Sequence, residues 1–178
     1  MTILAKEKNN ISVDTLEKIS NTDLADLCYN TEQAIKAGGG FGWITVPPRD
    51  VLKKYWNSML LLKTNTLIVG RLNGDIAGSM LLSFYPPNNE AQKKISSIQS
   101  HFVAPWARGY GLAKAMIDYA ILKSKENSKI NIQLDIRETQ TAAIQLFESK
   151  GFIRWGENPT YAFVNGNPIK GYYYYRNI

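Results

Sequence analysis

The chain has 178 residues, 44% of them hydrophobic and 20% charged, with a formal net charge of +6. This is ordinary globular usage, and domains cluster near ~100–150 residues, so one domain with a substantial core is expected. No run of roughly 18 apolar residues exists, so no membrane-spanning helix is expected. Met1 to Lys8 lacks the apolar stretch of a secretory signal, and Cys28 stands alone. Together these point to a reducing cytoplasm. Basic residues are spread along the chain, with small groups at Lys53-Lys54, Lys93-Lys94 and Lys123, Lys125, Lys129. A nucleic-acid interface would show a denser stripe and is not expected. A modest basic excess suits a polyanionic small ligand, or solubility alone.

Taken in chain order, Asn21 to Lys36 reads as a helix with Leu24, Leu27, Cys28 and Ala34 near one face and Asn21 or Thr22 as its N-cap. Gly38-Gly39-Gly40 ends it, and Phe41-Gly42-Trp43-Ile44 forms an aromatic loop. Pro47-Pro48 opens a second helix running to about Leu62, with an apolar stripe of Val51, Leu52, Tyr55, Trp56 and Met59. Thr66 to Leu72 and Ile76 to Tyr85 are strands joined by Asn73-Gly74, a type I′ hairpin signal. Pro86-Pro87-Asn88-Asn89 breaks the second arm, and Ile95 to Val103 is the next strand. Gly111 to Lys123 is a helix with Leu112, Ala115, Met116, Tyr119 and Leu122 on one face. Ile130, Ile132, Leu134 and Ile136 alternate with polar residues at a period of two. Thr139 to Lys150 is a helix capped by Thr139 or Thr141, and Gly151 sits where a left-handed residue is wanted. Phe152 to Trp155 and Tyr161 to Val164 are short strand segments. Asn165 to Pro168 turns the chain into a terminal strand from Ile169 to Arg176. The expected class is α/β (mixed α+β), with about six to seven strands in a mixed central sheet and helices on both faces. The strand–helix–strand unit at 95–136 implies local parallel pairing, with a ligand at the carboxyl ends of its strands.

The segment from Val103 to Ala113, VAPWARGYGLA, carries most of the functional information. A strand runs into a proline, then a loop with Arg108, Gly109 and Gly111, then a helix. Glycines let backbone N–H groups approach a phosphate, and the helix N-terminus adds partial positive charge. A dinucleotide loop wants a third glycine where Lys114 stands, and no P-loop pattern is present. The wider pattern, Val103-x-Pro105-x-x-Arg108-Gly109-x-Gly111-x-Ala113, resembles the acetyl-CoA loop of the GNAT N-acetyltransferase superfamily. Ala143-x-x-x-Phe147-x-x-x-Gly151-Phe152 resembles the helix that follows in that family, and the aromatic final hairpin is similar to its closing strands. The resemblance covers about residues 64–178, leaving 1–63 as a variable, helical, acceptor-side region of the same domain.

The resemblance implies transfer of an acetyl group from acetyl-CoA, as co-substrate, to a primary amine by direct attack, without a metal. The acceptor is a small-molecule amine or a protein amino group, and a homodimer is compatible with the family. Strands four and five should splay, with edges at Gln99 to Val103 and Ile132 to Ile136. Phe102 and Val103 would pair with the pantetheine. Ala107, Arg108, Gly109, Tyr110, Gly111, Leu112 and Ala113 would hold the pyrophosphate. Gln140 stands in place of the family's helix-opening Asn, with an amide to reach the pantetheine. Phe147 stands in place of the Tyr that protonates the departing thiolate, and Trp106 where the family has Gln or Arg. The alternative reading is a catalytically weak acyl-CoA sensor or interaction module, which Phe147 motivates.

His101 is the only histidine. Alternation puts it on a strand face with Gln99 and Val103, where a base near pKa 7 would help deprotonate an amine. A structural histidine is the competing reading. Asp135 and Glu138 lie near the expected mouth and either would suit an acceptor ammonium. Of Tyr172 to Tyr175, alternation sends two to the core and two to the acceptor side. Phe41 and Trp43 are either a closing loop or a packing anchor.

Overall fold

The computed structural model describes residues 9–39 and 41–178; Gly40, the last of the three glycines, and the N-terminal segment 1–8 lie outside the described residues. Among the described residues thirteen elements follow one another: β1 (Ile11–Leu16), α1 (Asn21–Lys36), α2 (Arg49–Met59), β2 (Asn65–Leu72), β3 (Asp75–Phe84), a 3₁₀ turn (Glu90–Gln92), β4 (Ile95–Val103), a second 3₁₀ turn (Pro105–Ala107), α3 (Leu112–Glu126), β5 (Asn131–Arg137), α4 (Thr141–Ser149), β6 (Ile153–Val164) and β7 (Asn167–Asn177). The strands form one seven-stranded sheet in the order β1-β2-β3-β4-β5-β7-β6. All neighbours are antiparallel except β4 and β5.

Both hairpins turn on Asn-Gly. Asn73 and Gly74 have φ of 55° and 101°, and Asn165 and Gly166 have 51° and 79°, the double positive φ that a type I′ turn requires. β1 is a strand that the sequence reading missed. Its segment ISVDTL has no clean period and ends next to Glu17-Lys18, but it pairs along its full length with β2. The region before residue 64 is therefore not purely helical. β6 is one strand rather than two segments, and its register slips at Trp155 and again between Asn158 and Ala162. Those slips disguised its continuity.

Helices cover both faces and divide the core in two. α1 and α2 enclose Leu27, Cys28, Leu52, Trp56, Leu67, Val69, Ile76 and Phe102. α3 and α4 enclose Ile68, Met80, Leu82, Met116, Ile117, Ile132, Leu134, Phe147 and Tyr174. The buried stripe of α3 is Leu112, Met116, Ile117, Ala120, Ile121 and Ser124, whereas Leu122 is exposed. The face expected through Ala115, Tyr119 and Leu122 is rotated, because Ile117, Ala120 and Ile121 are the residues that meet the sheet. The caps differ too. Ser20, not Asn21 or Thr22, accepts from the Asp23 amide at the start of α1, and Gln140, not a threonine, precedes α4 without a side-chain cap bond. At the other end of α4 the expectation about Gly151 holds: its φ is 77°. The Phe152 amide donates to the Phe147 carbonyl there, and the two rings meet edge to face. This is a Schellman closure with its hydrophobic contact.

α3 approaches the sheet over a glycine pair, Gly70 opposite Gly78. A Cβ at Gly78 would stand 2.6 Å from the carbonyl oxygen of Phe102 and 3.1 Å from Met116. The backbone of β4 cannot yield without disturbing its neighbours. Gly78→Ala is expected to lower stability by about 1–3 kcal/mol, the usual scale of overpacking, measured by urea denaturation.

Candidate active site

The parallel ladder between β4 and β5 is short. Ile95, Ser96 and Ser97 pair with Asn131, Ile132 and Gln133, and no pairing follows. From Ile98 on one side and Leu134 on the other, the strands part. The expected splay is present, with the β5 edge opening two residues later than expected because Ile132 and Gln133 are still paired. Between the parted strands lies a narrow cleft of about 90 Å³ lined by Gln99, Ser100, His101, Asp135, Phe147 and Tyr161 among others. At their carboxyl ends lies a larger cavity of about 570 Å³, within the size range of small-molecule sites. His101, Arg137, Gln140 and Ala143 border both.

A β-bulge shapes the β4 side. Ser79 faces Phe102 and Leu81 faces Gln99, so Met80 stands opposite two residues, Ser100 and His101. Ser100 adopts φ 49°, a left-handed conformation that costs a non-glycine residue of the order of 1 kcal/mol. Its hydroxyl is 2.7 Å from that of Tyr55 on α2, which ties the bulge to the helix. The bulge breaks the alternation. Ile98 packs on the α3 side, yet Phe102, also even-numbered, packs on the α1–α2 side. Gln99 and His101 therefore do not share a face as expected. His101 turns towards α4, where its ring meets Phe147 edge to face at 5.4 Å.

His101 is neutral at pH 7. Burial pushes its pKa down to about 4, because a charged imidazole loses hydration there. Its Nε2 is buried with no hydrogen-bond partner among the described residues. A base near 7, as the sequence suggested, is not what this environment produces.

The glycine loop is left-handed at both of its glycines and open around them. Gly109 and Gly111 have φ of 87° and 84°, with open space where a Cβ would project. Gly111 precedes α3, which has no side-chain cap. The first amides of a helix have no intrahelical acceptor, so those of residues 112–114 are free to donate outward. Arg108 and Ala113 line the larger cavity, as do Phe102, Val103 and Gln140. Ala107 and Leu112 are buried in the core, so they offer the loop only their backbone. Tyr110 is exposed. Trp106 turns away from the loop: its Nε1 donates to Oδ1 of buried Asn30 at 2.7 Å, and Asn30 in turn donates to the Ile76 carbonyl. The tryptophan fastens the loop to α1.

Opposite the loop, the α1–α2 connection is clamped. Arg137 donates to the carbonyls of Gly39 and Phe41 at 2.8 Å each, and Gln140 donates to that of Gly38 at 2.6 Å. Phe41 is an anchor, buried among Trp43, Tyr55, Trp56 and Phe102, while Trp43 borders the cavity. The two carboxylates separate in role. Glu138 accepts from the Lys170 amide and is occupied with β7. Asp135 lines the cleft and accepts from the Tyr161 hydroxyl. Of the tyrosine run, Tyr172 and Tyr174 pack on the α4 side, and Tyr174 donates to Glu148. Tyr173 meets Tyr161 and Trp155 on the other side. Tyr161 is the cleft residue that sequence reasoning missed. It arrives there through the second register slip of β6, and its ring occupies the space a Cβ of Gly171 would need.

Trp106→Phe leaves the Asn30 oxygen without its donor and is expected to destabilise by about 1–3 kcal/mol, read by urea denaturation. For His101 the folded-state pKa lies below the ordinary 6.5, so the unfolded chain binds more protons between the two values. Stability is therefore expected to fall as pH drops from about 6.5 to about 4. His101→Gln should flatten that part of a stability-against-pH curve.

The sequence profile of the acetyltransferase (GNAT) family matches residues 29–152. An uncharacterized N-acetyltransferase in the hisH–hisA intergenic region of Azospirillum brasilense is 40% identical over 130 residues, spanning 73% of this chain and 77% of that protein. Among solved structures, the N-acetyltransferase of Staphylococcus aureus Mu50 superposes with a TM-score of 0.79 at 17% identity, covering 94% of this chain and 98% of the other. The yncA protein of Salmonella typhimurium, solved with its cofactor acetyl-CoA, does so with a TM-score of 0.75 at 16% identity, covering 94% and 93%. With the splayed sheet and the glycine loop, these matches show that the chain belongs to the GNAT acetyltransferase family and is an N-acetyltransferase enzyme.

Proposed function

We propose that the enzyme transfers an acetyl group from acetyl-CoA to a primary amine by direct nucleophilic attack. The observation that carries this reading is the open β4 edge running from the cleft to the uncapped start of α3. A pyrophosphate fits the amides following Gly109 and the guanidinium of Arg108, where helix-end charge favours an anion. A pantetheine arm fits the gap between Ile98–Val103 and Leu134–Arg137, whose facing ladder positions are empty. Acetyl-CoA supplies the activated acyl group. The chain supplies orientation and backbone donors near the bulge, aimed where negative charge grows on the carbonyl oxygen.

In the transfer, the amine nitrogen bonds to the acetyl carbon, the carbon–sulfur bond breaks, and the sulfur leaves with the electron pair. One proton passes from nitrogen, so that amide and free thiol are the products. Phe147 has no proton to give, but a thiol of pKa near 8.5 leaves tolerably as thiolate. His101 is proposed to take the nitrogen's proton. The nitrogen becomes acidic as it bonds to carbon, so a weak, neutral imidazole is adequate at that stage. Phe147 and the depressed His101 also support the second reading, a slow enzyme acting chiefly as an acyl-CoA-binding module. The cytoplasm is the proposed location.

The test is acetyl-CoA-dependent thiol release over a panel of amines, with the acetylated product confirmed by mass spectrometry. Turnover of at least one amine is expected, and tight CoA binding with no turnover would sink the catalytic reading. His101→Ala should lower kcat by roughly 10²-fold, at the lower end of general-base contributions, with little change in the affinity for CoA. A kcat increase in Phe147→Tyr would favour the enzyme over the binding module, since only a working enzyme gains from an added acid.

A further inference from the structure

A feature given no role above begins at the edge of the cleft and runs along the α1–α2 side of the sheet. α1 packs on β3 and β4 and α2 on β2, and among the described residues these principal helix contacts on that side do not extend to β5, β7 or β6. Tyr161, Tyr173 and Trp155 stand there in a row, with ring centroids 6.3 and 5.6 Å apart. Trp155 is 64% exposed. The inner end of the row, Tyr161, enters the cleft and donates its hydroxyl to Asp135. The other face of the same strands is occupied by core, with Tyr172 and Tyr174 against α4. An exposed aromatic row that ends on a carboxylate inside a catalytic cleft matches an amine that is cationic at one end and aromatic at the other.

We infer that Asp135 is the subsite for the acceptor's ammonium group, and that the Tyr161–Tyr173–Trp155 row holds an aromatic body joined to that amine by a short chain. The acceptor class is thus an arylalkylamine; the inference rests on the acetyl-transfer reading for the fate of the amine. The geometry suits both ends. Asp135 and His101 lie on opposite sides of the same cleft, so an amine at Asp135 faces a thioester entering past Phe147. The Tyr161 hydroxyl donates to one carboxylate oxygen of Asp135, and a carboxylate has acceptor sites to spare for a second donor. Arg137, two residues away on β5, is turned to the Gly39 and Phe41 carbonyls and does not pair with Asp135. An aryl ring extends the row by the offset or edge-to-face contacts that its own members make.

The experiment compares 2-phenylethylamine with n-butylamine in wild type, Asp135→Asn, Trp155→Ala and Trp155→Tyr, by thiol release and by calorimetric titration of each amine into the CoA-loaded protein. Asp135→Asn is expected to raise KM for both amines about tenfold or more, the scale of a lost charged hydrogen bond, with a smaller change in kcat. Trp155→Ala should raise KM for 2-phenylethylamine about three- to tenfold more than for n-butylamine, and Trp155→Tyr should restore the ratio. A folding defect lowers the active fraction and moves both amines alike, so the ratio stays informative. Equal KM values in wild type and Asp135→Asn, or an unchanged ratio in Trp155→Ala, overturn the inference. Calorimetric binding of 2-phenylethylamine that Asp135→Asn abolishes, with no turnover of any amine, keeps the subsite and overturns acetyl transfer. Turnover of other amines with no binding of 2-phenylethylamine does the reverse.

Discussion

The structure depends on the early end of one β ladder. β4 and β5 are paired over three residues each and then separate, leaving backbone donors and acceptors on two facing edges. Buried backbone groups without partners are expensive, and a sheet would ordinarily close over them. Here closure is prevented from both sides. The bulge at Ser100 and His101 bends β4 and is pinned by Tyr55. On the far side, β5 is held to β7 over its full length from Asn131 to Arg137. The gap is therefore a property of the scaffold, and in the proposed role the amides of a pantetheine arm occupy it.

What surrounds the gap is built to keep it in place. The two halves of the core lie on opposite faces, and the bulge passes β4 side chains from one to the other, so Ile98 and Phe102 anchor the strand on both sides. Trp106 fixes the glycine loop to α1 through Asn30, while Arg137 and Gln140 fix the α1–α2 connection to the end of β5 and the start of α4. Loop and connection thus face each other across the larger cavity, each tied to rigid elements. Precision of this kind is what a preorganised set of backbone donors needs. The Schellman closure after α4 sets Phe147 against Phe152 and so against His101, which gives the inner wall of the cleft its apolar character and the histidine its low basicity.

Much of this was legible in the residues. Asn73-Gly74, Gly151, the alternation from Ile132 to Ile136 and the spacing of Arg108, Gly109 and Gly111 report local conformational needs. The side chain, or its absence, acts on its own backbone in each case. The elements misread were those where local preference is weak: β1 has a mixed pattern, α3 is apolar over most of its circumference, and β6 is interrupted by two slips. Ser20 was passed over as the cap of α1 because Asn21 and Thr22, its neighbours, are equally good cap formers.

By itself the sequence determined the order of most elements, the two Asn-Gly turns and the left-handed glycine loop before α3, because each rests on backbone conformations within a few residues. Only the tertiary structure decided which carboxylate faces the cleft. Asp135 and Glu138 are three residues apart and chemically alike, yet one lines the cleft and the other is held by the Lys170 amide. It also decided that His101 faces Phe147 and loses basicity, and that Tyr161 reaches the cleft over Gly171. Those outcomes depend on a bulge, a register slip and a missing Cβ on separate strands, and long-range packing of that kind leaves no periodic trace in the chain.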